Sequence, residues 1–133
     1  MTNKVSYGLG TVNGVQGLII LPDDWNGSVM KSTEFKYGST SFIDNTFDET
    51  DSTTKPKWSE MESAGCVFLP CAGYRDVSTV RNVSSDGCYW SSSAHVSGPS
   101  NAYNVYFIAS GIYPQLSNSR YRGRAVRLVC VSE

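Results

Sequence analysis

The chain has 133 residues, of which 40% are hydrophobic and 12% aromatic, and its formal net charge at pH 7 is −1. This length predicts a single domain with one core, and this composition excludes a disordered chain. The small net charge argues against nucleic acid and anionic membranes as partners. No apolar run reaches the about 20 residues of a membrane-spanning helix, and residues 1–10 lack the pattern of a signal peptide.

The charged residues divide unevenly along the chain. All five lysines precede residue 58, and all six arginines follow residue 74. Residues 1–62 carry nine acidic residues and five lysines, whereas residues 63–133 carry six arginines and three acidic residues. A guanidinium is planar and has several donors, so it stacks on rings and binds several carbonyls at once. These arginines either tie loops together within the domain or contact a ligand.

The first predicted element in chain order is a hairpin over residues 11–21. Its turn is Asn13-Gly14, a dipeptide typical of tight two-residue turns, and a β-rich run follows it. Residues 26–54 are rich in Gly, Ser, Thr and Asp and contain isolated aromatic residues. They predict a long irregular connection that the aromatic side chains hold in place.

A short helix is predicted next, with Thr53 or Thr54 as its cap and Gly65 at its end. Trp58 and Met61 fall at helical spacing on its inward face.

Short strands follow this helix and complete the predicted fold. The sum is one α+β domain over residues 1–133, with short antiparallel strands, one or two short helices and long loops. Ser110-Gly111 is predicted as a turn between the later strands. The predicted strands cover residues 66–69, 87–93, 102–108 and 124–131.

The four cysteines, Cys66, Cys71, Cys88 and Cys130, lack the spacing of a metal site. There is no Cys-x-x-Cys motif, and the only histidine, His95, has no second ligand at zinc spacing. Cys66 and Cys130 lie in apolar runs and are most simply buried thiols. Disulfides remain open in an exported protein, with three possible pairings.

The segment from Gly87 to Val129 indicates binding rather than catalysis. It contains no Lys, Glu or Met, and Tyr, Ser, Asn and Arg recur along it. Such residues give large contact areas and adaptable hydrogen bonds at low entropic cost, as in antibody loops. His95 and the serines near it could form a catalytic Ser–His pair, but the sequence lacks the Gly-x-Ser-x-Gly motif of a nucleophile elbow. Asp44, Asp48 and Asp51 lack the spacing of a calcium loop. We therefore expect a non-enzymatic protein without metal or cofactor.

Three pieces of sequence carry a resemblance to a known family. They are residues 12–25 (VNGVQGLIILPDDW), residues 58–75 (WSEMESAGCVFLPCAGYR), and residues 89–93 (YWSSS) followed by 122–129 (RGRAVRLV). In this order the chain resembles C-type-lectin-like domains of gut Bacteroidetes and their phages. These include the variable proteins of diversity-generating retroelements and the related major paralogous domain of Fibrobacter. The resemblance implies a C-type-lectin-like fold, related to that of the formylglycine-generating enzyme.

The resemblance also implies a diversified binding face within residues 77–129. In the retroelement proteins a reverse transcriptase randomises adenines, and an AAC-type codon then cannot become Lys, Glu, Met or Trp. Gln115 departs from this pattern, because such a codon cannot yield Gln. The positions that match the variable ones are Arg81, Asp86, Cys88, His95, Val96, Asn104, Tyr106, Ile108, Tyr113, Ser117, Ser119 and Arg122.

The function expected from this resemblance is recognition of a protein or glycan on a cell or host surface. The protein would lie on a cell surface or phage particle, without insertion into the membrane, and display in several copies would strengthen its binding. The alternative is a fixed structural or adhesive domain of a bacterial surface lipoprotein or fimbria-like assembly. A nearby reverse transcriptase gene and a template copy of the variable segment distinguish the two.

Overall fold

The chain forms two compact units whose regular secondary structure is mostly β-sheet. A computed structural model describes residues 5–30, 34–50 and 52–127. The first unit ends at Pro70 and the second begins at Cys71. Strands make up 45% of the described residues and helix only 5%. The prediction of an α+β, C-type-lectin-like fold is therefore wrong, and the described residues fit an all-β fold instead. The prediction of one domain over residues 1–133 stays a prediction.

The first unit contains a four-stranded sheet. Its strands are β1 (Tyr7–Val12), β2 (Val15–Ile20), β3 (Asn45–Phe47) and β4 (Val67–Pro70), in the order β3-β1-β2-β4. β1 pairs antiparallel with β2 and parallel with β3, and β2 pairs antiparallel with β4. β4 confirms the strand predicted over residues 66–69, with bounds shifted by one residue.

The hairpin between β1 and β2 forms where the sequence predicts it. Val12 pairs with Val15, so Asn13 and Gly14 make up the whole two-residue loop. Their φ angles are 49° and 81°. A type I′ turn requires positive φ at both positions, which Asn and Gly tolerate best. The Asn13-Gly14 dipeptide therefore sets the register of the hairpin.

Helix α1 (Trp58–Ser63) confirms the predicted helix but not its cap. Trp58 and Met61 are buried as expected. The N-cap is Lys57 rather than Thr53 or Thr54, and the Lys57 backbone N–H donates to the Glu60 carboxylate at 2.8 Å. Within the described ranges, no helix is long and apolar enough to span a membrane.

The core of the first unit joins the sheet, the helix and the irregular connection. Its buried side chains include Ile19 from β2, Met61 from α1 and Phe35 from the connection. Asn45 is also buried, where its side-chain amide donates to two backbone carbonyls and accepts from the Lys36 N–H. Aromatic packing and this asparagine hold the connection in place.

The second unit contains two three-stranded sheets. The smaller sheet consists of β5 (Tyr74–Asp76), β6 (Thr79–Arg81) and β10 (Gly123–Arg124), in the order β10-β5-β6. The edge strand β6 is exposed along its length. The bridge of Ala125 to Tyr89 connects the segment after β10 to the larger sheet.

The larger sheet of the second unit is an antiparallel meander. Its strands are β7 (Gly87–Ala94), β8 (Asn101–Ile108) and β9 (Gly111–Ser119), in that order. β7 and β8 confirm the strands predicted over residues 87–93 and 102–108. Ile108 pairs with Gly111, so the connecting loop is Ala109-Ser110 rather than the predicted Ser110-Gly111.

The predicted terminal strand over residues 124–131 is only partly described. Arg124 ends β10, and residues 128–131 lie outside the described residues, as does Cys130. The other three cysteines, Cys66, Cys71 and Cys88, are buried free thiols.

Candidate functional site

A cavity of about 230 Å³ lies in the second unit and is lined by both charged and aromatic side chains. Both sheets contribute to its wall. The charged lining residues are Asp86, Arg122 and Arg124, and the aromatic ones are Tyr74 and Tyr106. Four of the twelve predicted binding positions line this cavity, namely Asp86, Cys88, Tyr106 and Arg122.

Asp86 is held by the turn that precedes β7. The turn contains Asn82 and Ser84 at positive φ, and the Asp86 N–H donates to the Asn82 carbonyl at 3.0 Å. The buried carboxylate accepts hydrogen bonds from the Asn82 amide at 2.8 Å and the Ser85 hydroxyl at 2.9 Å. Its third donor is the Tyr106 hydroxyl at 2.9 Å. Three neutral donors therefore fix the carboxylate at the cavity wall.

Tyr106 connects this carboxylate to an aromatic surface on the sheet. Its ring stacks on that of Tyr113, its partner on β9, with centroids 5.9 Å apart. Burial and the hydrogen bond to Asp86 raise the pKa of the Tyr106 hydroxyl above its ordinary value of 10.0. The hydroxyl therefore stays protonated at neutral pH, and both ends of the side chain are fixed by neighbours.

Arg122 and Arg124 flank one aromatic ring at the other side of the cavity. They are two residues apart, with Arg122 in the bend that precedes β10 and Arg124 in β10 itself. Each guanidinium carbon lies 5.6 Å from the centre of the Tyr74 ring. The Arg124 guanidinium also lies 5.1 Å from the Trp90 ring. Cation–π contacts of this kind orient a guanidinium without using its N–H donors.

The Arg124 guanidinium is the least satisfied group of the site. Its Nε and Nη1 atoms are buried and have no hydrogen-bond partner in the described part of the chain. Neither Arg122 nor Arg124 forms an ion pair with any carboxylate among residues 5–30, 34–50 and 52–127. Buried polar atoms are nearly always paired, so these donors are candidates to bind a group outside the described residues.

The two described cysteines of the second unit, Cys71 and Cys88, are unsuited to nucleophilic chemistry. Burial raises the pKa of the Cys71 thiol from 9.0 to about 12. Burial also raises the pKa of the Cys88 thiol, although the positive charge of Arg124 opposes this. Since the thiolate is the nucleophile, both residues are unreactive at neutral pH. Within the described residues, no group of three or more acidic, Cys or His side chains is arranged to hold a metal ion.

The remaining predicted positions divide among other surroundings. Tyr113 joins the cavity group through its stack on Tyr106, whereas Arg81 forms an ion pair with Asp76 at 3.3 Å on the β5–β6 hairpin. His95 lies against the Tyr103 ring, with centroids 5.1 Å apart. The others are the fully buried Asn104, the half-buried Ile108, the exposed Val96, and Ser117 and Ser119 on β9.

Sequence reasoning did not select five residues that line the cavity. They are Tyr74, Asn82, Leu116, Asn118 and Arg124. The short spacing of Arg122-Gly-Arg124 was a usable signal for Arg124, because it places a second cation close to a predicted contact residue. Tyr74 carried no such signal, since its role comes from the pairing of β5 with β10.

Comparison with known proteins identifies a family but no function. The family model described as Domain of unknown function (DUF8237) matches residues 38–129, which is more than half of the chain. The chain therefore belongs to this family. No curated protein and no solved structure matches it.

Proposed function

We propose that this member of the DUF8237 family is a non-enzymatic ligand-recognition module whose binding surface surrounds the cavity of the second unit. The observation that carries the proposal is the convergence of Asp86, Tyr106 and Arg122 on one cavity, with Tyr113 stacked beside them. The resemblance to variable proteins selected these positions as contact residues. Their common location supports a shared role in binding.

The physical character of this surface also supports recognition. Its tyrosines and arginines are held by stacking and hydrogen bonds before any ligand arrives, so binding them costs little side-chain entropy. Tyr106 and Arg122 are half-buried, which leaves part of each side chain accessible to a partner. A small, polar cavity beside such anchors suits specific, non-covalent binding.

We further propose that the segment over residues 77–129 is diversified, as its resemblance to retroelement variable proteins implies. The ligand would be a protein or glycan on a cell or host surface, reached from a cell surface or a phage particle. Affinity per domain would be modest, and display in several copies would raise it by about 10²–10⁴-fold without new contacts.

The second candidate function is a fixed adhesive or structural domain of a surface assembly. It is favoured by the burial of Asp86, Cys88 and Asn104, because buried positions tolerate randomisation poorly. A fixed domain would keep the same cavity but would have no template copy of its gene segment. The two functions therefore differ at the level of DNA.

The experiment is labelling of intact bacteria with fluorescent streptavidin tetramers of the protein. A panel of gut Bacteroidetes strains is compared before and after treatment with protease or periodate, which separates protein from glycan ligands. We expect labelling of at least one strain and a loss of tenfold or more in Arg122→Ala and Tyr106→Ala.

The matched control is Arg120→Ala, which removes an exposed arginine of the same unit that lies outside the cavity lining. It should label as the unmodified protein does. Labelling that survives both cavity substitutions, or no labelling of any strain, contradicts the proposal.

A further inference from the structure

We infer that the cavity of the second unit binds the carboxylate-bearing ring of an acidic sugar, such as a uronic acid, with Arg124 as the main hydrogen-bond donor to that carboxylate. The inference rests on the proposed function, because it names the ligand class of that same surface.

The unpaired donors of Arg124 carry the argument. The Tyr74 and Trp90 rings contact the guanidinium, and ring contacts do not use its N–H groups. The Arg124 side chain also forms a hydrogen bond with the Cys88 thiol. Nε and Nη1 are nevertheless buried and unpartnered within the described residues. Buried donors of a cation that lack a hydrogen-bonded anion are costly, and a carboxylate is the anion whose geometry matches a guanidinium. An entering carboxylate would therefore offset the free-energy cost of the unpaired donors in the unliganded protein.

The charge balance of the cavity selects a single negative charge. Arg122 and Arg124 contribute two positive charges, and Asp86 contributes one negative charge whose hydrogen bonds all come from neutral donors. The lining is thus net positive by one charge. A monoanionic carboxylate neutralises it, whereas a dianionic phosphate would exceed it and face repulsion from Asp86.

The rest of the lining suits a hydroxylated ring rather than an apolar acid. The Asn118 side chain and the Asp86 carboxylate provide donors and acceptors for hydroxyl groups, and the Tyr106 ring, one face of which stacks on Tyr113, provides an aromatic surface for the C–H side of a sugar. The volume of about 230 Å³ is below the roughly 300–1,000 Å³ of pockets for drug-sized ligands. It exceeds what the carboxylate of one acidic side chain fills, so a single sugar ring fits best.

The test is a ¹H–¹⁵N chemical-shift titration of the intact chain with sodium glucuronate. Glucose, acetate, inorganic phosphate and N-acetylglutamate are titrated in parallel. We expect saturable shifts with glucuronate at the amides around Asp86 and Arg124, no shifts with glucose, and at least tenfold weaker binding of acetate and phosphate. Equal binding of acetate overturns the sugar assignment. Tighter binding of N-acetylglutamate overturns it in favour of an acidic peptide, and no binding of any anion overturns the whole inference.

Two variants locate the binding. Arg124→Gln should reduce glucuronate affinity at least tenfold. Arg122→Gln, at the half-buried rim, should reduce it by a smaller factor and is less disruptive to folding. Arg120→Gln is the control and should bind as the unmodified protein does. Unchanged affinity in both cavity variants refutes the assignment.

The outcome is separable from that of the proposed function. Cell labelling that depends on Arg122, without uronate binding, supports the recognition module and refutes the acidic-sugar ligand. Uronate binding without any cell labelling supports the uronate site and refutes the proposed function.

Discussion

Gly87 of β7 lies directly against the ring of Phe107, and this contact gives the sharpest stability prediction for the second unit. Gly87 and Phe107 are paired across β7 and β8, and the aromatic ring covers the glycine. A Cβ added at Gly87 would overlap three carbon atoms of that ring. Phe107 is fully buried and stacks on Tyr89 with centroids 6.2 Å apart, so the ring has no free direction in which to move.

Gly87→Ala should therefore destabilise the protein near the upper end of the overpacking range, by about 3 kcal/mol. With a urea m-value of roughly 1.5 kcal/mol/M, this lowers the midpoint by roughly 2 M. Phe107→Leu should lower the free energy of unfolding by about 1 kcal/mol, since truncation of a buried Phe to Ala costs little more than truncation of a buried Leu to Ala. It also removes the atoms with which the new methyl group collides.

The assay is urea unfolding of both single variants and the double variant. If the ring contact is the cause, the double variant is more stable than the sum of the single effects by about 1–3 kcal/mol. Gly98→Ala is the control, because its Cβ would meet only the movable His95 side chain at 3.2 Å and should change stability by less than about 0.5 kcal/mol. Additive effects, or a loss below about 1 kcal/mol in Gly87→Ala, would refute the reasoning.

Three further predictions concern the core, the irregular connection and pH. Met61→Ala should cost about 2–5 kcal/mol in urea unfolding because Met61 is fully buried, while exposed Glu62→Ala should change little. Asn45→Ala should lower the free energy of unfolding by more than the about 1–3 kcal/mol of a single unsatisfied buried group, because three main-chain groups lose a buried partner. Asn26→Ala, which loses one exposed hydrogen bond, is its comparison. The pKa of the Cys71 thiol is raised from 9.0 to about 12, so above pH 9 the unfolded state loses its proton first. The free energy of unfolding should then fall by up to about 1.4 kcal/mol per pH unit, and Cys71→Ala should flatten this fall in unfolding curves taken from pH 8 to 11.

Local signals predicted several elements of this fold. The Asn13-Gly14 dipeptide determines the first hairpin because only such residues accept both positive φ angles without strain. The spacing of Trp58 and Met61 predicted the helix, since both side chains face the core of the first unit. These elements depend on residues close together in the chain, so a single sequence contains the necessary information.

The strands that sequence analysis missed lack the residue pattern of a strand. β9 (Gly111–Ser119) contains Pro114, Gln115 and several small polar residues, so it lacks the alternation of a strand and forms because β8 offers it a paired edge. β6 has three residues that are all exposed, so it has no buried face to produce an alternating pattern. The fold-class error followed, because the unpredicted strands outweigh one six-residue helix.

The site was predictable in part. Tyr106 and Arg122 were found because the resemblance places them at variable positions and their residue types suit contact surfaces, and the fold brings both to one cavity. The hydrogen bond from Tyr106 to Asp86 and the two arginines around Tyr74 arise from pairings between strands far apart in the chain. No local pattern encodes these contacts.

The most direct test of the central claim, a diversified binding surface, is to sequence the DNA that flanks this gene. The account predicts a near-copy of the segment coding for residues 77–129 beside a reverse transcriptase gene. It should differ from the gene only at adenines, in codons such as those of Tyr106, Tyr113 and Arg122, and should match it at Gly87 and Phe107. The absence of such a copy would contradict the claim and leave a fixed adhesive domain.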